Sequence, residues 1–191
     1  MQTRRVLIIY ATSYGQSRKI AQRVADILTS AGWQVRVVNA KEPAAAGVRP
    51  EDYDGVVVGG SLIARGLQPA IVRFVRVHRE ALERLPSAVF QVSASAGSAK
   101  AEGRAAARQI LDRFLEQSQW HPDLVVSVAG AINYTKYNVF LRWFMKRASR
   151  LEGGSTDASR DHEYTDWEQV EGFARQFLVV LERSRQKSAI G

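Results

Sequence analysis

The stretch that decides the fold is Val6-Leu-Ile-Ile-Tyr10-Ala-Thr12-Ser13-Tyr14-Gly15-Gln16-Ser17-Arg-Lys-Ile20-Ala21-Gln-Arg-Val24. It opens with an apolar run typical of a strand, continues through a hydroxyl-rich loop and ends in apolar residues at helical spacing. The first amides of a helix have no intrahelical partner and carry partial positive charge. The sequence therefore predicts a phosphate site where this helix begins.

The composition of the loop narrows the choice of phosphate ligand. It lacks the P-loop lysine and the Gly-x-Gly-x-x-Gly pattern of dinucleotide sites, which favours a monophosphate such as that of FMN. Its spacing resembles the flavodoxin signature, and a hydroxyl-capped turn without a ligand is the alternative. The predicted cofactor contacts here are Thr12, Ser13, Tyr14, Gly15, Gln16 and Ser17, through hydroxyls and the backbone N–H groups of residues 13–17.

The overall composition excludes several classes of protein. The 191 residues suit one domain, 1–191, and no apolar run reaches the roughly 18–20 residues of a transmembrane helix. With no cysteine and three scattered histidines, we expect neither disulfides nor a metal site, and we expect a cytoplasmic protein without a signal peptide. The net charge of +8 favours an anionic substrate or membrane surface, and no nucleic-acid motif accompanies it.

Strand and helix patterns alternate along the chain. We predict a flavodoxin-like α/β fold, a doubly wound five-stranded parallel sheet with strand order 2-1-3-4-5. Flavodoxin is the reference case for FMN at the switch point between strands 1 and 3, and we take that placement from the resemblance. The predicted strands are 5–10, 34–39, 54–59, 88–93 and 124–130, and the predicted helices are 16–31, 69–84, 101–117 and 166–184, the last with a capping box from Thr165 to Glu168.

Two further loops follow predicted strands 3 and 4. Gly59 and Gly60 are expected to let the flavin ring approach the backbone, and the small residues after strand 4 are expected to bond its polar edge. Ordinary Gly/Ser connections are the alternative. The predicted cofactor contacts in these loops are Ser61, Leu62, Ile63, Ala64, Arg65, Ser93, Ala94, Ser95, Ala96, Gly97 and Ser98.

An insertion of about twenty residues, near 133–154, precedes the last helix. Its aromatic and aliphatic residues share one helical face, and Arg142, Lys146 and Arg150 lie opposite with Trp143 among them. This basic aromatic pattern indicates an interfacial helix at a membrane, and a helix packed on the domain is the alternative.

Specific strings in the second half of the chain sharpen the resemblance. Ser118-Gln-Trp-His-Pro-Asp123 and Tyr164-Thr-Asp-Trp-Glu-Gln-Val170 resemble the flavodoxin-type, menaquinone-dependent protoporphyrinogen IX dehydrogenases of bacterial haem synthesis. The resemblance covers nearly the whole chain. The chain departs from the family at Leu67-Gln68-Pro69, where those enzymes carry histidine and tyrosine, and in its Ala/Ser-rich strand 4 loop.

The resemblance implies oxidation of protoporphyrinogen IX through FMN, with menaquinone or ubiquinone as the membrane acceptor. The chemistry then belongs to the flavin, and no catalytic side chain is expected. The implied substrate contacts are Arg65, Tyr134, Lys136 and Tyr137. The implied location is the inner face of the cell membrane, peripherally. An electron-carrier flavodoxin, an NAD(P)H:quinone reductase and a flavin-free scaffold are the alternatives.

Overall fold

The computed structural model describes residues 4–63, 66–97, 101–132 and 162–190. Short 3-10 turns at Pro43–Ala45, Pro50–Asp52 and Ser95–Gly97 join the larger elements. The strands are β1 Arg5–Ala11, β2 Gln34–Asn39, β3 Gly55–Ile63, β4 Gly66–Leu67, β5 Ser87–Ser93, β6 Leu124–Ala129, β7 Ala131–Ile132 and β8 His162–Glu163. The helices are α1 Gln16–Ser30, α2 Pro69–Arg84, α3 Ala101–Ser118 and α4 Trp167–Ile190.

Five parallel strands form the main sheet in the order β2-β1-β3-β5-β6. Counted without the short β4, this is the predicted order 2-1-3-4-5, so the predicted fold class is confirmed. β1 is central, with Ile8 opposite Val37 of β2 on one side and Val57 of β3 on the other. The carboxyl ends of β1, β3 and β5 consequently meet at one edge of the sheet.

The sheet is covered on both faces, and β1 shows how the sequence encodes this. Val6, Ile8 and Tyr10 enter one apolar cluster, in which α1 and α4 supply the covering side chains. Leu7 and Ile9 enter the other, which α2 and α3 cover. Side chains alternate across a strand, so a continuous apolar run is what a strand buried on both faces requires.

Two glycines of β3 are required by packing. A Cβ atom on Gly59 would overlap the ring of Phe90, and one on Gly55 would overlap the side chain of Leu181 in α4. At Gly60 a Cβ would lie 3.2 Å from Leu67. Protein side chains therefore occupy the Cβ side of Gly59 and Gly60. Close approach of a flavin ring to the backbone of these glycines stays a prediction.

β3 continues past the predicted end of strand 3. Leu62 and Ile63 pair antiparallel with Leu67 and Gly66, so residues 61–63 are strand and not the predicted loop. The buried side chain of Leu67 stabilises this hairpin against the α2 and α3 side of the core. The sequence reading missed the hairpin because the glycine pair resembles the start of a turn.

The ends of the last two predicted elements also differ from expectation. β6 ends at Ala129, and after Gly130 the chain forms β7, which pairs antiparallel with β8. Helix α4 is capped by Asp166, whose Oδ1 accepts the backbone N–H of Gln169 at 3.1 Å. The predicted Thr165 cap is wrong, since that hydroxyl is used elsewhere. The predicted insertion, 133–154, lies outside the described residues.

The close contact between Gly59 and Phe90 predicts a large effect of one methyl group. Gly59→Ala should lower the free energy of unfolding by about 1–3 kcal/mol, the usual cost of overpacking a core, as measured by urea denaturation. Gly172→Ala is the control, because no atom lies within 4 Å of the added Cβ in α4. The control should raise stability by about 0.5–1 kcal/mol through helix propensity. Equal effects of the two substitutions would contradict the packing argument.

Candidate functional site

The candidate site lies at the carboxyl edge of the sheet, between the loops that follow β1 and β3. Helix α1 packs on one face and α2 on the other, so these loops leave the sheet in opposite directions. Such a switch point leaves a crevice at the strand ends, where ligands of open α/β sheets bind.

Helix α1 begins at this crevice in a way that suits an anion. Its N-cap is Gly15, with φ of 96°, and no side chain caps the helix. Gly15 donates its N–H to Thr12 Oγ1 at 2.9 Å, so this amide is used within the loop. The predicted phosphate donors therefore exclude the Gly15 amide, while the first-turn amides from Gln16 onward keep the orientation that favours an anion.

The hydroxyl of Ser17, in the first turn of α1, gives the strongest indication of a ligand. The residue is 0% exposed, and its hydroxyl has no hydrogen-bond partner among the described residues. Buried polar groups are nearly always paired, and leaving one unpaired costs free energy. The hydroxyl in the first turn of α1 therefore requires a partner that the described chain does not supply.

The charge around the loop is positive. The first turn of α1 contains no acidic residue, and Arg18 and Lys19 follow the loop directly. Lys41 adds a third cation by donating from Nζ to the carbonyl oxygen of Thr12 at 2.8 Å. The sequence reading missed Lys41, since it follows β2 and only the fold brings it to this loop. Three cations beside an uncapped helix N-terminus favour an anionic ligand.

Tyr10 is the second-last residue of β1, just before the loop. Burial raises the pKa of its phenol, Arg18 lowers it and Glu42 raises it again, so the net shift is upward. The phenol therefore stays protonated and neutral at physiological pH, and it adds no negative charge to the positive loop.

Gln68 joins the loop after β1 to the end of β3. This buried residue donates from Nε2 to Ser13 Oγ, after β1, and to Ser61 Oγ, near the end of β3, both at 2.8 Å. Its backbone is held at the N-cap of α2, where its carbonyl oxygen accepts the N–H of Ile71 at 2.9 Å. In the sequence, Gln68 stood out only by its position before Pro69 and by the departure from the family at residues 67–69.

Gln16 connects the same helix end to the far side of the site. Its Nε2 donates to Thr165 Oγ1 at 2.7 Å, and that hydroxyl donates to the carbonyl oxygen of Ala129 at 2.8 Å. The side chain of Gln16 is thus committed to protein contacts, which leaves its backbone N–H for a ligand. Thr165 ties α1, β6 and the start of α4 together.

The loop after β5 is the third part of the site. Ser93 Oγ accepts the N–H of Ala96 at 3.1 Å, which fixes the turn through Ala94 and Ser95. A Cβ on Gly97 would lie 2.9 Å from Ala129, so this turn packs directly against the end of β6. The loops after β1 and β5 therefore lie on either side of the end of β3, where residues 61–63 are strand.

Large apolar side chains are exposed at this edge. Tyr14 is 37% exposed, Ile63 43% and Tyr164 36%. Each belongs to a segment next to the crevice, and none of the three continues the core. Exposed aromatic and aliphatic side chains around a polar crevice suit a flat ligand with an apolar face.

Several predicted site residues cannot be placed. They lie outside the described residues and are Ala64, Arg65, Ser98, Tyr134, Lys136 and Tyr137. The two strands that flank the segment with the last three pair with each other, Ala131 with Glu163 and Ile132 with His162. The pair follows Gly130, whose N–H donates to the carbonyl oxygen of Ser93 at 2.9 Å, so the segment starts beside the third loop.

The described ranges contain neither a metal-binding cluster nor a helix that could span a membrane. No group of acidic and histidine side chains there could hold a metal ion. None of the described helices combines the length and apolar character needed to cross a bilayer.

Comparison with known proteins agrees with this geometry. The flavodoxin domain family matches residues 7–159. The protoporphyrinogen IX dehydrogenase [quinone] of Escherichia coli K12 is 35% identical over 187 residues, covering 96% of this chain and 99% of that protein. The chain belongs to the flavodoxin-like protoporphyrinogen IX dehydrogenase family. Its flavodoxin domain makes it a flavoprotein, and its family makes it an oxidoreductase.

Other members and neighbours of this dehydrogenase family show how far the similarity extends. The enzyme of the same name from Leishmania major is 33% identical, covering 94% of this chain and 77% of that protein. A short-chain flavodoxin associated with a bacterial microcompartment shares the fold at 14% identity, with a TM-score of 0.52 over 94% of this chain and 99% of its own. The rubredoxin:oxygen oxidoreductase of Desulfovibrio gigas, at 16% identity, has a TM-score of 0.55 over 95% of this chain, which spans 37% of that longer protein.

The role of Thr165 predicts a loss of stability from an isosteric substitution. Thr165→Val should lower the free energy of unfolding by about 1–3 kcal/mol in urea, since the buried Gln16 amide and the Ala129 carbonyl lose their partner. Thr29→Val, at an exposed site in the last turn of α1, is the matched control and should change stability little. If Thr165→Val is as stable as the control, the bridge contributes nothing.

Proposed function

We propose that this chain binds FMN noncovalently and oxidises protoporphyrinogen IX to protoporphyrin IX with a quinone as electron acceptor. The observation that carries the cofactor is the uncapped, positively charged start of α1, with the buried hydroxyl of Ser17 beside it. The substrate and the acceptor are supported by the names of relatives that align over almost the entire chain.

The loop after β1 fits the phosphate of FMN. Thr12, Ser13 and Ser17 offer hydroxyls, and the first-turn amides of α1 offer N–H donors, while Lys41 and Arg18 supply compensating charge. Charge-assisted bonds of this kind are about twice as strong as neutral ones. A dinucleotide would need room for a second phosphate, and the loop has no glycine fingerprint that would provide it.

The other two loops fit the remainder of the cofactor. Residues 61–65 and 93–98 are the proposed contacts to the ring. Ser61 to Ile63 end β3 and Ser95 to Gly97 follow the neighbouring β5, and Ile63 with Tyr14 offers apolar surface to a flat ring. When bound, FMN would take electron pairs from the porphyrinogen and pass them to the quinone. The protein's part is to hold the ring at the exposed edge, where both reactants reach it in turn.

We assign the substrate to the space between the loop after β3 and the start of the 133–154 insertion. The pairing of β7 with β8 supports this, because it starts that segment beside the loop after β5. Arg65 and Lys136 are the cations proposed for the propionates, and Tyr134 and Tyr137 the proposed apolar contacts. The net charge of +8 suits an anionic substrate.

A quinone acceptor favours peripheral attachment of the enzyme to the inner face of the cell membrane. A quinone dissolves in the bilayer, so an enzyme without a spanning helix among its described residues has to approach the membrane surface. Arg142, Lys146 and Arg150 are the proposed contacts, each worth about 1 kcal/mol near an anionic surface.

Ser17 gives the sharpest test of the cofactor. Ser17→Ala should raise the Kd for FMN by about ten- to hundredfold, the equivalent of one charge-assisted hydrogen bond. The same change should leave the stability of the flavin-free protein unchanged or higher, because it removes an unpaired buried hydroxyl. Ser30→Ala, at the exposed other end of α1, should alter neither quantity. Unchanged FMN affinity in Ser17→Ala would contradict the assignment.

The activity is tested anaerobically on FMN-loaded protein, with porphyrin fluorescence as the readout. We expect protoporphyrinogen IX to be oxidised when a quinone is present, faster with the quinone in anionic vesicles than in neutral ones, and slower as salt screens the surface. Bleaching of the flavin by NADPH and not by protoporphyrinogen would favour the quinone-reductase alternative. If neither NADPH nor protoporphyrinogen bleaches the flavin, and the protein readily exchanges electrons with a flavodoxin reductase, the electron-carrier alternative is favoured.

A further inference from the structure

The bridge made by Gln68 fixes which way two serine hydroxyls donate. Nε2 uses one hydrogen for Ser13 and one for Ser61, at 2.8 Å each. Both serine oxygens therefore act as acceptors toward Gln68, and the proton of each hydroxyl has to be donated elsewhere. Ser13 belongs to the loop after β1 and Ser61 to the end of β3, so both protons are available at the crevice.

The second observation is an unpaired buried oxygen on Gln68, which is unfavourable for folding. Gln68 is 0% exposed, and within the part of the chain that the structure describes its Oε1 has no hydrogen-bond partner. An unpaired buried carbonyl oxygen is unfavourable, and an apolar side chain of the same size would avoid it. A hydroxyl donor, such as the sugar alcohol chain of a flavin carries, is the chemistry that would satisfy this oxygen.

We propose that Gln68 is a positioning residue that turns the hydroxyls of Ser13 and Ser61 toward the cofactor and thereby sets a preference for phosphorylated flavin. The inference rests on the proposed binding of FMN. Ser13 lies in the loop whose amides and cations favour an anion, so its donated hydrogen bond strengthens most when the ligand carries a phosphate. Gln68 would act through the serines, and it needs no contact with the reacting atoms.

Gln68→Glu keeps the shape, reverses the hydrogen bonding and also adds a negative charge. The uncharged double variant Ser13→Ala with Ser61→Ala, described below, separates the hydrogen bonding from that charge. A carboxylate only accepts, so both serine protons would turn toward residue 68 and away from the crevice. We expect the Kd for FMN to rise by about tenfold or more and the Kd for riboflavin, which lacks the phosphate, to rise by less than about threefold. The readout is quenching of flavin fluorescence on titration of the flavin-free protein.

Gln91→Glu is the matched control. Gln91 is also 0% exposed, its Nε2 donates to the carbonyl oxygen of Ala107 at 3.0 Å, and its Oε1 is likewise unpartnered among the described residues. It bridges β5 to α3, and neither of the two crevice loops depends on it. The control should lose stability as Gln68→Glu does, while the ratio of riboflavin to FMN affinity stays at the wild-type value.

A second variant guards against misfolding of the first. Ser13→Ala with Ser61→Ala leaves Gln68 in place and removes the two donors, and it should reproduce the selective loss of FMN affinity. Wild-type FMN affinity in Gln68→Glu would overturn the proposal, since it would mean that the serines already donate to residue 68. Equal losses for FMN and riboflavin would also overturn it and leave Gln68 a structural role. If the wild-type protein does not bind FMN, the proposed function is wrong, and this result is distinct from the failures of the Gln68 proposal.

Discussion

The structure depends on the reversal of winding at β1. The chain leaves β1 toward one face of the sheet and leaves β3 toward the other, so no helix closes the space between these two strand ends. Everything at the site follows from this opening: the uncapped start of α1, the bridge from Gln68 and the converging cations. The pattern that permits it is the apolar run of β1, which supplies side chains to both clusters of the core.

Polar side chains hold the opening in shape. Gln68 links the loop after β1 to the end of β3, and Thr165 links the start of α1 to the end of β6. Amides and hydroxyls suit this task, because one group bonds two partners in directions that the geometry sets. Apolar packing alone would leave the loops free to shift, and an anion site built from several donors loses strength when they move apart.

The sequence was sufficient for the parts of the fold that periodic patterns encode. The continuous apolar runs of the five long strands and the amphipathic helices between them led to the observed order of the sheet. The roles of single residues were harder to predict, because one residue type can serve in packing, in capping or in binding, and the sequence does not distinguish these roles. Gly59 packs against the ring of Phe90 on its Cβ side, and Thr165 bonds Ala129 where Asp166 takes the capping role.

The residues of the site that sequence reasoning missed share one property. Lys41 and Gln68 each lie far along the chain from the loop that they contact, so no spacing rule connects them to it. Ser17 was predicted as a cofactor contact, but the strongest argument for it, its burial, came from the structure. A hydroxyl in a signature is ordinary, whereas a fully buried hydroxyl without a partner among the described residues indicates a missing ligand.

The short pairing of β7 with β8 has a consequence for how this fold varies. It brings the backbones of Ile132 and His162 side by side, so the two ends of the segment between them are held together. A segment attached in this way can be lengthened, shortened or exchanged with little change in the entropy of closing it, since that cost grows only slowly with loop length. The sheet and its crevice can thus stay unchanged while the length of the segment between Ile132 and His162 varies.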